Sequence, residues 1–449
     1  MRAWRMMRWL LALVVLSGLA AAVGGHADGP RRAYRRLPVT EYRDKMKAGW
    51  VGQMAGVSFG APTEFRWRGQ IIPEDQVPRW REGMVNDAFG QDDLYVEMTF
   101  LRTLEERGLD LSPAQAGADW ANSQYGLAHA NRVGRRSLRR GIAPPDSGHP
   151  WFNRHADDID FQIESDFTGL VAPGLPNTVI ALGDKFGHLM NYGDGVYAGQ
   201  FVGAMYAEAF FESDPVKLAR VALKAIPADS LYAEMVRDVL RWHGESPDDW
   251  ERTWQRVERK YHGDPAYVKG LCSEPGGAGD FCIDAKLNGA YILIGLLYGG
   301  RNPERTMAIA CRCGQDSDCN PSNAAGVLFT TMGFSHLDPR YAAGLDQGRV
   351  FSNTAYDFPT LLAACERVAR QSVLRAGGRI EVVNGEEVFL IPVQRPKPIG
   401  LEQSWNPGPT KGRHRHSPNA ESSGLTSSTS QGRSTIILHS RFPQGAPRA

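Results

Sequence analysis

The chain has 449 residues, 42% of them hydrophobic, and a formal net charge of +1. That length allows a large core, and neither an extreme composition nor a global repeat points to a fibrous or solenoid protein. The near-zero charge balance gives no basis for nucleic acid or an anionic membrane as the main partner.

The N-terminus reads as a secretory signal over residues 1–27. Arg2, Arg5 and Arg8 precede an apolar run from Leu10 that reaches Val23, and Gly25-His26-Ala27 offers a cleavage end. The expectation is a secreted or periplasmic protein with no stable membrane span after cleavage. A retained, membrane-anchored N-terminus is the alternative, although the run is short for a span. Residues 28–39 read as a linker.

From about Val39 the pattern is helical. Tyr42–Gly56 carries small and apolar residues along one face, and Gly49, Gly52, Gly56 and Gly60 would permit close helix approach. Asp92–Arg107 is the clearest helix, with Leu94, Met98, Leu101 and Leu104 at helical spacing. Tyr197–Phe211, Pro215–Ala225, Ser230–Trp242, Asn320–Met332 and Thr360–Arg375 extend the set. Ala285–Leu297 is almost wholly apolar, which predicts a central buried helix, interrupted by polar Asn288. Ile380–Val383 and Glu386–Val393 flank Asn384-Gly385 and predict a β-hairpin. After about Pro396 the chain is rich in Pro, Ser, Gly, Arg and His, a composition that predicts a disordered tail. The expected organisation is an all-α domain over 40–375, a small hairpin extension over 376–395 and a tail over 396–449.

All six cysteines, Cys272, Cys282, Cys311, Cys313, Cys319 and Cys365, follow the signal. Export permits disulfides, and Cys272–Cys282, closing a Gly-rich loop, is the first pair to test; spacing alone does not fix connectivity. Cys311-x-Cys313 has no second Cys/His pair at finger spacing.

Two acidic motifs carry the chemistry. The first is Gln91-Asp92-Asp93, and the second runs from Gly314 to Asn320 with Asp316 and Asp318. Each precedes a helix, where acids accept N–H bonds and complement the dipole, so capping is the plain alternative to metal ligation. Asp316-x-Asp318-x-Asn320 begins like a calcium loop, but Pro321 and Val327 stand where an EF-hand needs Gly and an acid. Gly56-Val57-Ser58-Phe59-Gly60 matches a nucleophile elbow in letters, yet no buried strand precedes it. Glu64 lies in a Gly/Pro loop that can present a carboxylate to a cleft. Asp157, Asp158 and Asp160 form a third acidic knot, followed by Glu164 and Asp166, with a substrate-side role or a helix start as its readings. Gly193-Asp194-Gly195-Val196-Tyr197 could bring backbone N–H groups to a phosphate or sugar.

Taken in order, Gly60-Ala61-Pro62-Thr63-Glu64, Gln91-Asp92-Asp93 and Asp316-Ser317-Asp318-Cys319 resemble the ADP-ribosylglycohydrolase family from about Val39 to Arg375. The resemblance implies a compact orthogonal multi-helix bundle with two magnesium ions in a central cleft. It implies metal ligation by Asp92, Asp93, Asp316 and Asp318, with Gln91 and Cys319 where the family has threonine. It implies proton transfer by Glu64. Asp157, Asp158, Gly193, Asp194, Gly195 and Tyr197 become the candidate substrate contacts. The implied reaction is cleavage of an N- or O-glycosidic bond in a small-molecule glycoside or an ADP-ribosylated substrate. Val57 replaces an acidic residue of the family pattern, and Ala198-Gly199 its Met-Arg. A catalytically inactive ligand-binding protein on the same scaffold is the alternative.

Overall fold

The computed structural model describes residues 33–267 and 283–412. The segment expected to be a signal, the start of the expected linker, Cys272, Cys282 and residues 413–449 lie outside the described residues. The elements begin with β1 (Tyr34–Pro38), α1 (Val39–Gly60), α2 (Asp92–Arg107), α3 (Pro113–Ala121) and α4 (His129–Arg139). Two short turns of helix, α5 (Asp160–Ile163) and α6 (Asp166–Leu170), lead to α7 (Pro176–Gly187) and α8 (Asp194–Ala209). Then come α9 (Pro215–Ala222), α10 (Leu231–Glu245), α11 (Trp250–Val257), α12 (Ala285–Tyr298), α13 (Pro303–Arg312) and α14 (Cys319–Met332). The described fold closes with α15 (Phe358–Arg375), β2 (Arg379–Val383) and β3 (Glu386–Pro392). The domain is all-α apart from this small sheet.

The centre of the bundle is the contact between α1 and α14. A Cβ on Gly52 would stand 2.5 Å from the Ala325 carbonyl oxygen, one on Gly56 2.2 Å from that of Pro321, and one on Gly60 2.1 Å from that of Ser317. Partners that descend by four as the glycines ascend by four mark an antiparallel pair in backbone contact. Only hydrogen fits at those three positions, so the small-residue stripe exists to bring α1 against the start of α14. Every residue of α12 is buried, as its apolar sequence predicts.

Three features differ from the sequence reading. Tyr34–Pro38, expected as linker, forms β1 and pairs antiparallel with β3, with Leu37 opposite Phe389. The predicted hairpin is therefore a three-stranded sheet in the order β1-β3-β2. A lone hairpin is marginal in water, and β3 has buried residues on both faces that need a second neighbour. The third difference is the tail. Residues 396–412 run as a strap over the body, held through polar groups rather than a core of their own. The Tyr197 hydroxyl donates to the Gly400 carbonyl at 2.9 Å, and the Ser404 hydroxyl donates to Asp157 at 2.9 Å. Asp146 accepts the backbone N–H groups of Lys411 and Gly412 at 2.9 and 2.7 Å. Composition predicted disorder from residue 396 onward, which residues 396–412 overturn, because composition does not register capture by polar groups elsewhere in the chain.

Among the described residues Cys311, Cys313, Cys319 and Cys365 are free and buried. No helix there is long and apolar enough to cross a membrane.

Candidate metal centre

The glycine stripe delivers the end of α1 to the loop before α14. Beyond Gly60 the Thr63 hydroxyl lies 2.8 Å from the Ser317 hydroxyl and donates to the Gly60 carbonyl at 2.8 Å. The two loops are then stitched through their backbones. Phe65 N–H donates to the Gln315 carbonyl at 3.0 Å, and Gln315 N–H donates to the Trp67 carbonyl at 2.7 Å. Phe65 and Gln315 both adopt left-handed φ, at 54° and 57°. Such strain costs roughly 1–3 kcal/mol per residue and persists where surrounding contacts over-determine it. Between these clamps stands Glu64, facing the second acidic motif.

Asn288, the polar interruption in α12, braces that motif. Its carbonyl oxygen accepts from the Asp316 N–H at 3.3 Å and from Asn320 Nδ2 at 2.9 Å.

Asp92 and Asp93 open α2, while Asp318 immediately precedes α14. Neither helix has a side-chain cap from its N-cap residue, Gln91 or Asp318. Both oxygens of Asp93, and one each of Asp316 and Asp318, are buried without a hydrogen-bond partner. Backbone N–H groups at the two helix starts favour ionised Asp92 and Asp318 without offsetting their burial, so capping accounts for these acids only in part.

The electrostatics show that the two motifs converge. Burial, then the charges of Asp318 and Asp92, holds the Asp93 carboxyl well above the ordinary range. Burial and the charge of Asp318 do the same to Asp316. Asp92 and Asp318 are also raised, first by burial. Glu64 is pushed up to about 7 by burial, then by Asp318 and Asp92. Glu64 and Asp92 keep open surface, yet neighbouring protein atoms crowd and desolvate their carboxyls. Five mutually repelling acids, three of them with orphaned buried oxygens, form an arrangement that a bound cation would relieve. The donors are mainly carboxylate oxygens, the chemistry of hard divalent cations.

Cys319 belongs to the same cluster: one ligand atom each from Asp316, Asp318 and Cys319 lie within 4.8 Å of one another. Burial, followed by the charges of Asp316 and Asp318, drives its thiol well above the usual value. It is a soft thiol among hard oxygen donors. Gln91 is partly exposed at the N-cap of α2.

The six candidate substrate contacts do not form one surface. Gly195 packs its Cα against the Ala156 carbonyl, where a Cβ would stand at 2.5 Å, and Gly193 lies against the strap at Glu402. Asp194 accepts the Tyr232 N–H at 3.0 Å, and Asp157 and Tyr197 bind the strap. Asp157 and Asp194 also act on the buried Lys286, which pairs with Asp284 at 2.8 Å. Asp158 instead joins His129 and His155. The Gly-rich turn meets the chain's own atoms where the sequence suggested a ligand.

Sequence reasoning passed over Glu97. It sits one turn after Asp93 on α2, fully buried, with one oxygen unpartnered and the other accepting the Phe167 N–H at 2.8 Å. Its signal was an acid at i+4 from Asp93 within a helix otherwise read by its apolar stripe. Asp166, behind it, accepts from Tyr206 and Asn323, each at 2.8 Å.

Fold and site together define a helical domain built around a cluster of carboxylates suited to a metal. The profile of the ADP-ribosylglycohydrolase family matches residues 38–372, and the chain belongs to that family. The family is metal-dependent and supports a glycohydrolase role. Among solved structures, an ADP-ribosylglycohydrolase-related protein complex aligns with a TM-score of 0.45 and 15% identity, covering 74% of this chain and 99% of that one. No curated protein matches the chain.

Proposed function

We propose that this protein is an exported, magnesium-dependent glycohydrolase that cleaves an N- or O-glycosidic bond to ADP-ribose or a related ribosyl or glycosyl group. The observation that carries the reading is the convergence of Glu64, Asp92, Asp93, Asp316 and Asp318, in which Asp93, Asp316 and Asp318 have buried, unpartnered oxygens. Asp92, Asp93, Asp316 and Asp318 would hold the cations, two by analogy with the family. A bound cation supplies charge neutralisation and Lewis-acid polarisation. The remaining work falls to the chain. Glu64, with its carboxyl near 7, can hold or release a proton at neutral pH. The surrounding carboxylates favour the positive charge of an oxocarbenium-like transition state. The backbone bridges at Phe65 and Gln315 fix Glu64 relative to the aspartates.

A ligand-binding protein without turnover is the second reading, favoured by the high thiol pKa of Cys319 where the family has threonine. Hydrolysis of ADP-ribosylated peptides and simple nucleosides, with and without magnesium, separates the two when combined with calorimetry. Metal-dependent turnover that Glu64→Gln abolishes supports the enzyme. Magnesium and ADP-ribose binding with no turnover on any glycoside supports the second reading. Export rests on the signal-like N-terminus and is tested by locating the chain in a fractionated host.

A further inference from the structure

A second group of metal-ligating side chains lies beside the acidic cleft and differs from it in chemistry. His129 opens α4, and its Nδ1 lies 3.1 Å from Asp158 Oδ2. His155 Nδ1 lies 2.9 Å from the same oxygen. The two rings meet edge to face with centroids 5.2 Å apart. One ligand atom from each of the three residues falls within 4.8 Å of the others. His155 and Asp158 are buried, while His129 keeps some exposure.

Asp160 supplies an independent observation. Only 6% of it is exposed, and one carboxylate oxygen has no hydrogen-bond partner. The other accepts the Asn131 N–H at 2.8 Å. Asp160 is close enough for its charge to interact with Asp158, His129 and His155. A hydrogen-bonded His–Asp–His triad accounts for Asp158 but leaves this oxygen orphaned. A cation held by the triad would also give this oxygen a positive neighbour. Metal–donor bonds of about 2.0–2.1 Å at a tetrahedral centre place donors roughly 3.3 Å apart, so the two His–Asp158 spacings of 3.1 and 2.9 Å need only a small expansion.

The frame around these donors is rigid. Asn153 accepts the His155 N–H at 3.0 Å and donates to the Ala130 and Met190 carbonyls at 2.9 and 2.7 Å. Asn191 donates to the Ala156 and Asp158 carbonyls at 3.0 and 2.8 Å. Ile159 N–H donates to the Ile283 carbonyl at 3.0 Å. Each turn that carries a donor is thus tied to a different neighbour, as a preorganised metal site requires.

We propose that His129, His155, Asp158 and Asp160 form a site for one divalent transition metal of the zinc class, distinct from the carboxylate cleft. Two imidazoles and two carboxylates suit zinc, whereas magnesium prefers an all-oxygen shell. His129 also acts on Asp92, which places this cation at the border of the cleft.

The test uses the full mature chain, stripped of metal and titrated with zinc in the presence of excess magnesium. One equivalent is expected to bind. His129→Ala and His155→Ala should each weaken it by more than about 100-fold, beyond the usual loss for an outer-sphere change. Asp316→Asn should leave it intact. Zinc K-edge absorption on the unmutated protein checks the donors without depending on how a variant folds. Imidazole scattering from two histidines is expected. An all-oxygen shell, zinc affinity unchanged in a folded His129→Ala chain, or zinc lost with Asp316→Asn would each overturn the proposal.

Discussion

At the residue scale, the buried aspartates are a liability until something positive joins them. Asp316 has its carboxyl raised by burial and by Asp318, so the ionised form opposes folding. For an acid with a raised folded pKa, stability falls as pH climbs from the unfolded value near 3.9 towards the folded one. Asp316→Asn is therefore expected to stabilise the metal-free chain at neutral pH, by about 1–3 kcal/mol, while removing most of the stabilisation that magnesium gives. Denaturant melts of both chains, with and without magnesium, check it. A metal-free Asp316→Asn chain that is no more stable, and that magnesium stabilises as much as the parent, would show that Asp316 does not serve the cation. The acids themselves were legible from their spacing. Their lack of partners was not, because a sequence shows a carboxylate at a helix start but not which atoms face it. Cys319 was legible as a substitution; the raised thiol depends on buried neighbours that the sequence does not show.

At the element scale, the glycine stripe of α1 was visible as spacing, but its partner was not. The antiparallel register with α14 is what turns four glycines into a device that places Glu64 beside Asp318. Gly60→Ala puts a methyl about where the Ser317 carbonyl stands. We expect a loss of about 2–3 kcal/mol in stability and weaker magnesium binding, because the Ser317–Asp318 backbone must move. A calorimetric titration checks the second effect, and unchanged affinity would mean that the loop tolerates the shift. Helices with strong periodicity were readable, whereas β1 and the strap were not, since each is stabilised only by distant partners. The strap carries its own prediction. Burial alone would lower the His188 imidazolium, but Asp184 and Glu402 outweigh it and raise it to about 10. The pairing, worth about 2–4 kcal/mol, is then fully present below pH ~6.5 and lost as pH rises through about 10. Amide exchange over residues 400–412 should accelerate across that window, and His188→Gln should remove the step. Equal protection on both sides of it would show that the ion pair does not hold the strap.

At the scale of the whole molecule, the cleft is where separate parts of the chain meet: the end of α1, the start of α2 and the start of α14. A cation there bridges elements that otherwise repel. Binding at a hundredfold excess over Kd adds about 2.7 kcal/mol. The melting temperature should rise by a few degrees, on the order expected for that energy in a large domain, and a chelator should reverse it. A melting curve indifferent to magnesium and chelator would count against a structural cation in the cleft.

The pairing of β1 with β3 joins Tyr34 to Pro392, the first and last strands described. Contacts of such sequence separation form late, because the intervening chain must exist before they can close. A growing chain keeps Tyr34–Pro38 without its sheet partner until nearly the whole domain has been made. Ribosomal synthesis thus leaves a long interval in which a chaperone can engage the early segment before the final strand locks it in.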